Sequence, residues 1–223
     1  MPEKKNESGS AIDRQDIMFA VLLGVAAVTV KLAGRGLPGW DVTRTTTDIL
    51  LSTITVAYIT ARARRTPEKL DAWGLSTPLT PAAWLVFVLL LGLSVVSLAA
   101  CGTLISGSVA FIPAHPAQMI EYIPAAFPQQ FVLCSILLAS LATLPAFRGQ
   151  WRLPLFVGVL FSIAHFWTPA RIPGTIVPVQ MLITLPAGAG AAWYFLRFRS
   201  ILPLTAIHAV FYPLMHYWIE RQL

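Results

Sequence analysis

The chain has 223 residues, 56% hydrophobic and 12% charged, with 16 Lys and Arg against 10 Asp and Glu. Soluble domains average about 25% charged residues, so a mean hydropathy of +0.69 with long apolar runs excludes an ordinary soluble domain and makes lipid the main solvent. The net charge of +6 forms no basic patch interleaved with aromatics, which argues against nucleic acid as a partner. The bases instead cluster at the ends of apolar runs, as topology signals and lipid-headgroup contacts do.

Residues 1–16 are polar, with Lys4, Lys5 and Arg14, and are expected to form a short cytoplasmic tail. A spanning helix needs about 20 residues, and seven candidate spans follow. The first, 17–33, is read as a span rather than a removed signal peptide, because no small-residue cleavage site follows it and more apolar segments come after. The second, 46–61, carries Asp48 near its start. The third, 82–104, is the most apolar, and the fourth is expected at 128–147 with Pro128 in the first helical position, where its missing N–H costs nothing. The fifth and sixth are 153–167 and 175–196, the latter with small residues from Ala187 to Ala192 that permit close helix packing. The seventh is 201–219. These spans predict an all-α, polytopic transmembrane bundle: two N-terminal transmembrane helices in 17–69, then a membrane domain over 70–223.

Orientation follows from the basic residues in the connections. With the N-terminus inside, Lys4, Lys5, Arg14, Arg62, Arg64, Arg65, Lys69, Arg148, Arg152, Arg197 and Arg199 fall on the inner side. Lys31, Arg35, Arg44, Arg171 and Arg221 fall outside, so the bias of 11 to 5 places the N-terminus in the cytoplasm. The natural setting is a bacterial or archaeal cytoplasmic membrane. The outer connection 106–127 has no Lys or Arg, is rich in proline, and holds Glu121 between Met119, Ile120, Tyr122 and Ile123. It is expected to lie on or dip into the outer face as a short amphipathic segment.

Polar groups inside a bilayer are costly and are candidates for function. Three places concentrate them: Gln129 and Gln130, expected to open the fourth helix; His165, closing the fifth after Phe161; and His208, Tyr212 and His216 on one face of the seventh. His208 lies seven residues beyond Ile201, roughly 10 Å into the membrane at 1.5 Å per residue. The fourth and fifth helices run antiparallel, so the three places can converge on one polar cavity. Cys101 and Cys134 lie in apolar surroundings without zinc-type spacing and read as small buried residues. His165 and His208 supply two nitrogens and no carboxylate, too few for a metal centre, so neither metal nor other cofactor is expected.

These residues resemble the motifs of the CPBP family of intramembrane glutamate endopeptidases, which includes the CAAX prenyl proteases and bacteriocin-processing and immunity proteins. The family's motifs are Glu-Glu-x-x-x-Arg, Phe-x-x-x-His and His-x-x-x-Asn. Here the second is intact as Phe161 to His165, and the third keeps His208 but has Tyr212 in place of Asn. In the first, Gln129 and Gln130 replace both acids and Cys134 replaces the arginine. Gln129, His165 and His208 are separated by 36 residues (129 to 165) and 43 residues (165 to 208). The flanks Ala72-Trp73-Gly74-Leu75 and Arg199-Ser200-Ile201-Leu202-Pro203 also resemble the family. The resemblance covers roughly 70–214 and implies a four-helix core built from the fourth to seventh spans, with a site formed by Gln129, Gln130, His165 and His208 and lined by Cys134, Phe161 and Tyr212.

In that family a glutamate activates a water for attack on a peptide bond. Glutamine orients a water but takes no proton at neutral pH, and a lost general base forfeits about 10²–10⁴-fold in rate. Loss of the arginine together with both acids is coherent, since a buried unpaired cation is costly. Tyr212 still offers an O–H to an oxyanion. Two function classes follow. In the first, the chain is a catalytically impaired relative that binds a membrane peptide or partner protein in immunity, sorting or regulation. In the second, it is a divergent endopeptidase in which Glu121, or a histidine-based mechanism, replaces the lost acids. A Cys134–His dyad is a further catalytic variant. A small transporter lacks the expected inverted repeat. The chemistry favours the first.

Overall fold

The computed structural model describes residues 12–34, 40–106, 116–147, 149, 151–165 and 177–218. Its helices are α1 (Arg14–Gly34), α2 (Trp40–Arg65), α3 (Lys69–Ala72), α4 (Pro81–Ser106), α5 (Pro116–Glu121), α6 (Ile123–Gln130), α7 (Ala139–Leu141), α8 (Arg152–His165), α9 (Val177–Phe198) and α10 (Leu202–Trp218). A π-helix, Phe131–Leu138, joins α6 to α7, and a short 3₁₀ turn, Pro145–Phe147, follows. The fold is all-α, with no strand among the described residues. Most of the polar tail, 1–11, lies outside them, as do His115 and Arg171.

Each of the seven expected segments coincides with a helix over most of its described length. Two helical stretches have the length and composition to cross a membrane: Pro81–Leu104, with 24 residues, and Ile123–Leu141, with 19. Both are consistent with membrane association. Only 11% of the first is buried, against 50% of the second, so the first faces outward and the second is packed inside. The outward face of α4 is apolar, with Leu85, Leu89, Leu93 and Val96 each more than half exposed, as a lipid-facing helix requires. Apolar helices α8 and α10 contribute shorter stretches, Arg152–Ile163 and Leu202–Met215.

Two helix starts differ from expectation. The second helix begins at Trp40 rather than 46. The fourth begins at Ile123, with Pro124 in its first turn and Pro128 inside it. Gln129 and Gln130 therefore do not open a helix. They sit in the middle of a continuous helical rod from Ile123 to Leu141. Pro128 lies inside the α-helical stretch, where it gives no N–H to the carbonyl of Pro124, and π turns begin three residues later at Phe131.

One end of the bundle is tied together by local devices. Asp13 caps α1, accepting from the N–H groups of Gln15 (2.9 Å) and Asp16 (3.1 Å), while Asp16 accepts from the Asp13 N–H (3.0 Å), a reciprocal capping box. Thr80 caps α4 through the Ala83 N–H, with Pro81 in the first position. Gly74 adopts a φ of +70°, and a Cβ there would lie 2.6 Å from the Arg199 carbonyl oxygen, so only glycine fits. The same turn accepts the Ile201 N–H on the Gly74 carbonyl (3.1 Å) and the Arg199 guanidinium on the Ala72 carbonyl (2.8 Å). The two flanking segments noted in the sequence, around Trp73 and around Ile201, thus clasp each other. Trp73 is fully buried between them and packs edge-on against Phe131, at 5.3 Å between ring centroids.

Helices α8 and α9 form a close hairpin. A Cβ on Gly158 would meet the Leu185 carbonyl at 2.6 Å, and one on Gly188 would meet Phe161 Cβ at 2.7 Å. The small residues of α9 serve this contact. They also give Phe161 a packing role, because it fills the notch left by Gly188.

Candidate functional site

Successive residues of a helix point about 100° apart, and Gln129 and Gln130 accordingly part company. Gln130 is buried and faces α10, where its side-chain nitrogen meets His208 Nδ1 at 3.2 Å. Its oxygen accepts from the Cys134 thiol, one turn further along, at 3.4 Å. Gln129 is half-buried and lines a separate groove between α1, α2 and α6.

The Gln130 amide thus bridges the His208 imidazole on one side and the Cys134 thiol on the other. Tyr212 follows one turn after His208, with ring centroids 6.4 Å apart, and stacks on Tyr122 at 4.4 Å and 22°. Tyr122 joins α5 to α6, so the described part of the proline-rich segment, from 116 on, packs against α10. Glu121, beside it at the end of α5, is exposed. A π-helix immediately after Gln130 is in keeping with the frequent use of such turns at functional sites.

His165 is the last residue of α8; its side chain, like that of His216, lies outside the described part of the structure. The structure thus brings together Gln130, His208, Cys134 and Tyr212. Gln129 lies on another face, and Phe161 lies against α9. Among the described residues no three His, Cys, Asp or Glu are grouped to hold a metal.

Two polar assemblies went unnoticed in the sequence. One is the groove wall, where Asp48 of α2 lies with Gln129; the available signal was an acid inside an apolar run. The other is an ionic cluster at the clasped end. Asp16 is fully buried and accepts from Lys69 Nζ (2.5 Å) and the Tyr58 hydroxyl (2.5 Å). Lys69 also pairs with Asp13 at 3.1 Å, and Arg62 pairs with Asp13 and reaches Gln15 Oε1 at 2.8 Å. Burial alone would raise the Asp13 pKa, but the Lys69 hydrogen bond, the Asp16 N–H and the Lys69 and Arg62 charges outweigh it and hold the carboxyl below its usual range. Burial likewise opposes the Arg62 charge, yet Asp13 and Asp16 push its pKa above the ordinary value. Asp13-x-x-Asp16 ahead of an apolar run was the legible signal for the capping box. The partners 53 residues away were not legible.

No protein-family model, no curated protein and no solved structure matches this chain.

Proposed function

We propose that this is a polytopic membrane protein of about seven spans, N-terminus in the cytoplasm, whose core resembles that of the CPBP intramembrane endopeptidases and which binds a membrane peptide or partner protein without cleaving it. Residence in a bacterial or archaeal cytoplasmic membrane, in contact with membrane lipids, belongs to the same reading. The observation that carries it is that Gln130, an amide, occupies the position facing His208 and bridges it to Cys134. Peptide hydrolysis needs a group that takes a proton from water. The amide has no basic site at neutral pH, and His208 Nδ1 is already engaged by it. Such groups suit holding a peptide rather than cutting it.

The test is made on protein reconstituted in lipid nanodiscs with internally quenched apolar peptides. The wild type is expected to bind peptide and show no turnover. Gln129→Glu/Gln130→Glu/Cys134→Arg, which rewrites the first motif, is expected to gain turnover. Cleavage by the wild type that disappears in Glu121→Ala or His165→Ala would overturn the reading and favour a divergent endopeptidase.

A further inference from the structure

Among the described residues eight bases gather at the clasped end, and the fold engages three of them internally. Arg62 and Lys69 pair with Asp13 and Asp16, and Arg199 donates to the Ala72 carbonyl and lies over the Phe195 ring. Arg14, Arg64, Arg65, Arg152 and Arg197 stay exposed, and none of them forms an ion pair among the described residues. The contacts place all five at this end. Arg14 opens α1, and Arg64 and Arg65 close α2, whose Arg62 reaches Asp13 and Gln15. Arg197 lies in the last turn of α9, and Arg152 opens α8, just after Trp151, which stacks on Trp193 of α9 at 6.3 Å. Glu68 and Asp71 are the exposed carboxylates here, and Asp71 accepts from the Ser76 hydroxyl, so the surface carries a positive excess.

Helix stability does not account for this arrangement. Bases in the last turns of α2 and α9 suit the negative end of a helix dipole, but Arg152 stands at the positive end of α8, whose first turn holds no acid. Arg14 opens α1 beside Asp13 and Asp16, which are committed to Lys69 and Arg62. One turn inward the surface becomes apolar: Met18 of α1 and Leu155 of α8 are more than half exposed, as is Trp151. Charge, then indole, then exposed aliphatics is the profile of a membrane boundary.

We propose that this arginine collar recruits anionic phospholipids of the cytoplasmic leaflet. This rests on the reading that the chain resides in a membrane with its N-terminus in the cytoplasm, and it adds the lipid class and the residues that select it. Charge complementarity chooses the occupant. A guanidinium fork matches phosphate oxygens, and a headgroup without its own ammonium leaves that charge for the protein. A soluble phosphate would satisfy the arginines but leave Met18, Trp151 and Leu155 in water, whereas a diacyl lipid covers both.

The experiment reconstitutes the full chain in nanodiscs of equimolar phosphatidylglycerol and phosphatidylcholine with matched acyl chains, transfers it to mild detergent, and quantifies the retained lipids by mass spectrometry. Wild type is expected to retain phosphatidylglycerol about fivefold or more over phosphatidylcholine, the weight of one base at an anionic surface. Raising NaCl to about 1 M, where the screening length falls to about 3 Å, should abolish the preference. Replacing Arg14, Arg64, Arg65, Arg152 and Arg197 together by Gln should bring retention to parity, and replacing them by Lys should keep the preference. Arg152→Gln alone should weaken it without lowering the thermal midpoint, which separates loss of charge from loss of fold. Equal retention by wild type, or a preference that survives the Gln replacements, overturns the collar and leaves membrane residence standing. A chain recovered from the nanodisc preparation without lipid overturns both. Displacement of the retained lipid by inorganic phosphate, but not by chloride at equal ionic strength, assigns the arginines to a soluble anion and overturns the proposal.

Discussion

The clasped end of the bundle and its interior site solve the problem of buried polarity in opposite ways. At the clasped end, charges are kept and paired: Asp16 is fully buried but receives Lys69 and Tyr58, and Asp13 is shared by Lys69 and Arg62. At the interior site an amide bridges an imidazole and a thiol. The difference teaches where charge can reside in such a chain. Near the helix ends, several partners and nearby water offset desolvation. Along the middle of the rod from Ile123 to Leu141, a buried acid would need a cationic partner. A hydrogen-bonded set of amide, imidazole and thiol avoids that requirement.

The comparison can be broken at either end. The largest effect is expected from Asp16→Ala, which removes the fully buried carboxylate that Lys69 and Tyr58 share. Breaking a buried pair from one side costs about 3–5 kcal/mol, to be read from unfolding in detergent micelles. A loss below about 1 kcal/mol would mean that the cluster behaves as a surface ion pair. A smaller loss is expected from Gln130→Leu, which strips the His208 Nδ1 and the Cys134 thiol of their shared partner. Unsatisfied buried groups cost about 1–3 kcal/mol each. If Gln130→Leu is as stable as wild type, the amide is not what organises the interior site. The smallest effect concerns pH. The Asp13 carboxyl lies below its usual range in the folded state, so the stability it contributes is complete above the unfolded value of about 4 and is lost as pH falls through the folded value. Because the Asp13 side chain is 43% exposed, screening keeps the contribution modest. The stability gap between wild type and Asp13→Asn should therefore narrow on going from pH 7 to pH 3. A gap that widens would assign the shift the wrong sign.

Much of the local structure was legible in the residues themselves. Apolar run length located the helices, and Thr80-Pro81 marked the start of α4. The small residues of α9 foretold its close packing on α8. The start of the fourth helix was misplaced because Pro128 reads as a first-turn residue, whereas the helix begins at Ile123 and runs through it. The site was legible only as a set of residue types. His208, Gln130 and Tyr212 stood out as polar groups in apolar runs and Cys134 only through a resemblance, but which of the two glutamines meets the histidine was not legible.

The sequence by itself determined an all-α chain rich in apolar helices, the approximate positions of those helices, and the presence of two amides rather than acids at 129 and 130. These follow from periodicity, composition and side-chain chemistry, which are properties of single segments. Only the tertiary structure decided that Gln130 faces His208 while Gln129 lines a groove on another side, and that Asp16 meets a lysine 53 residues away. One residue along a helix is a turn of about 100°, so the partner of each side chain depends on how neighbouring helices are rotated and packed. No single segment encodes that.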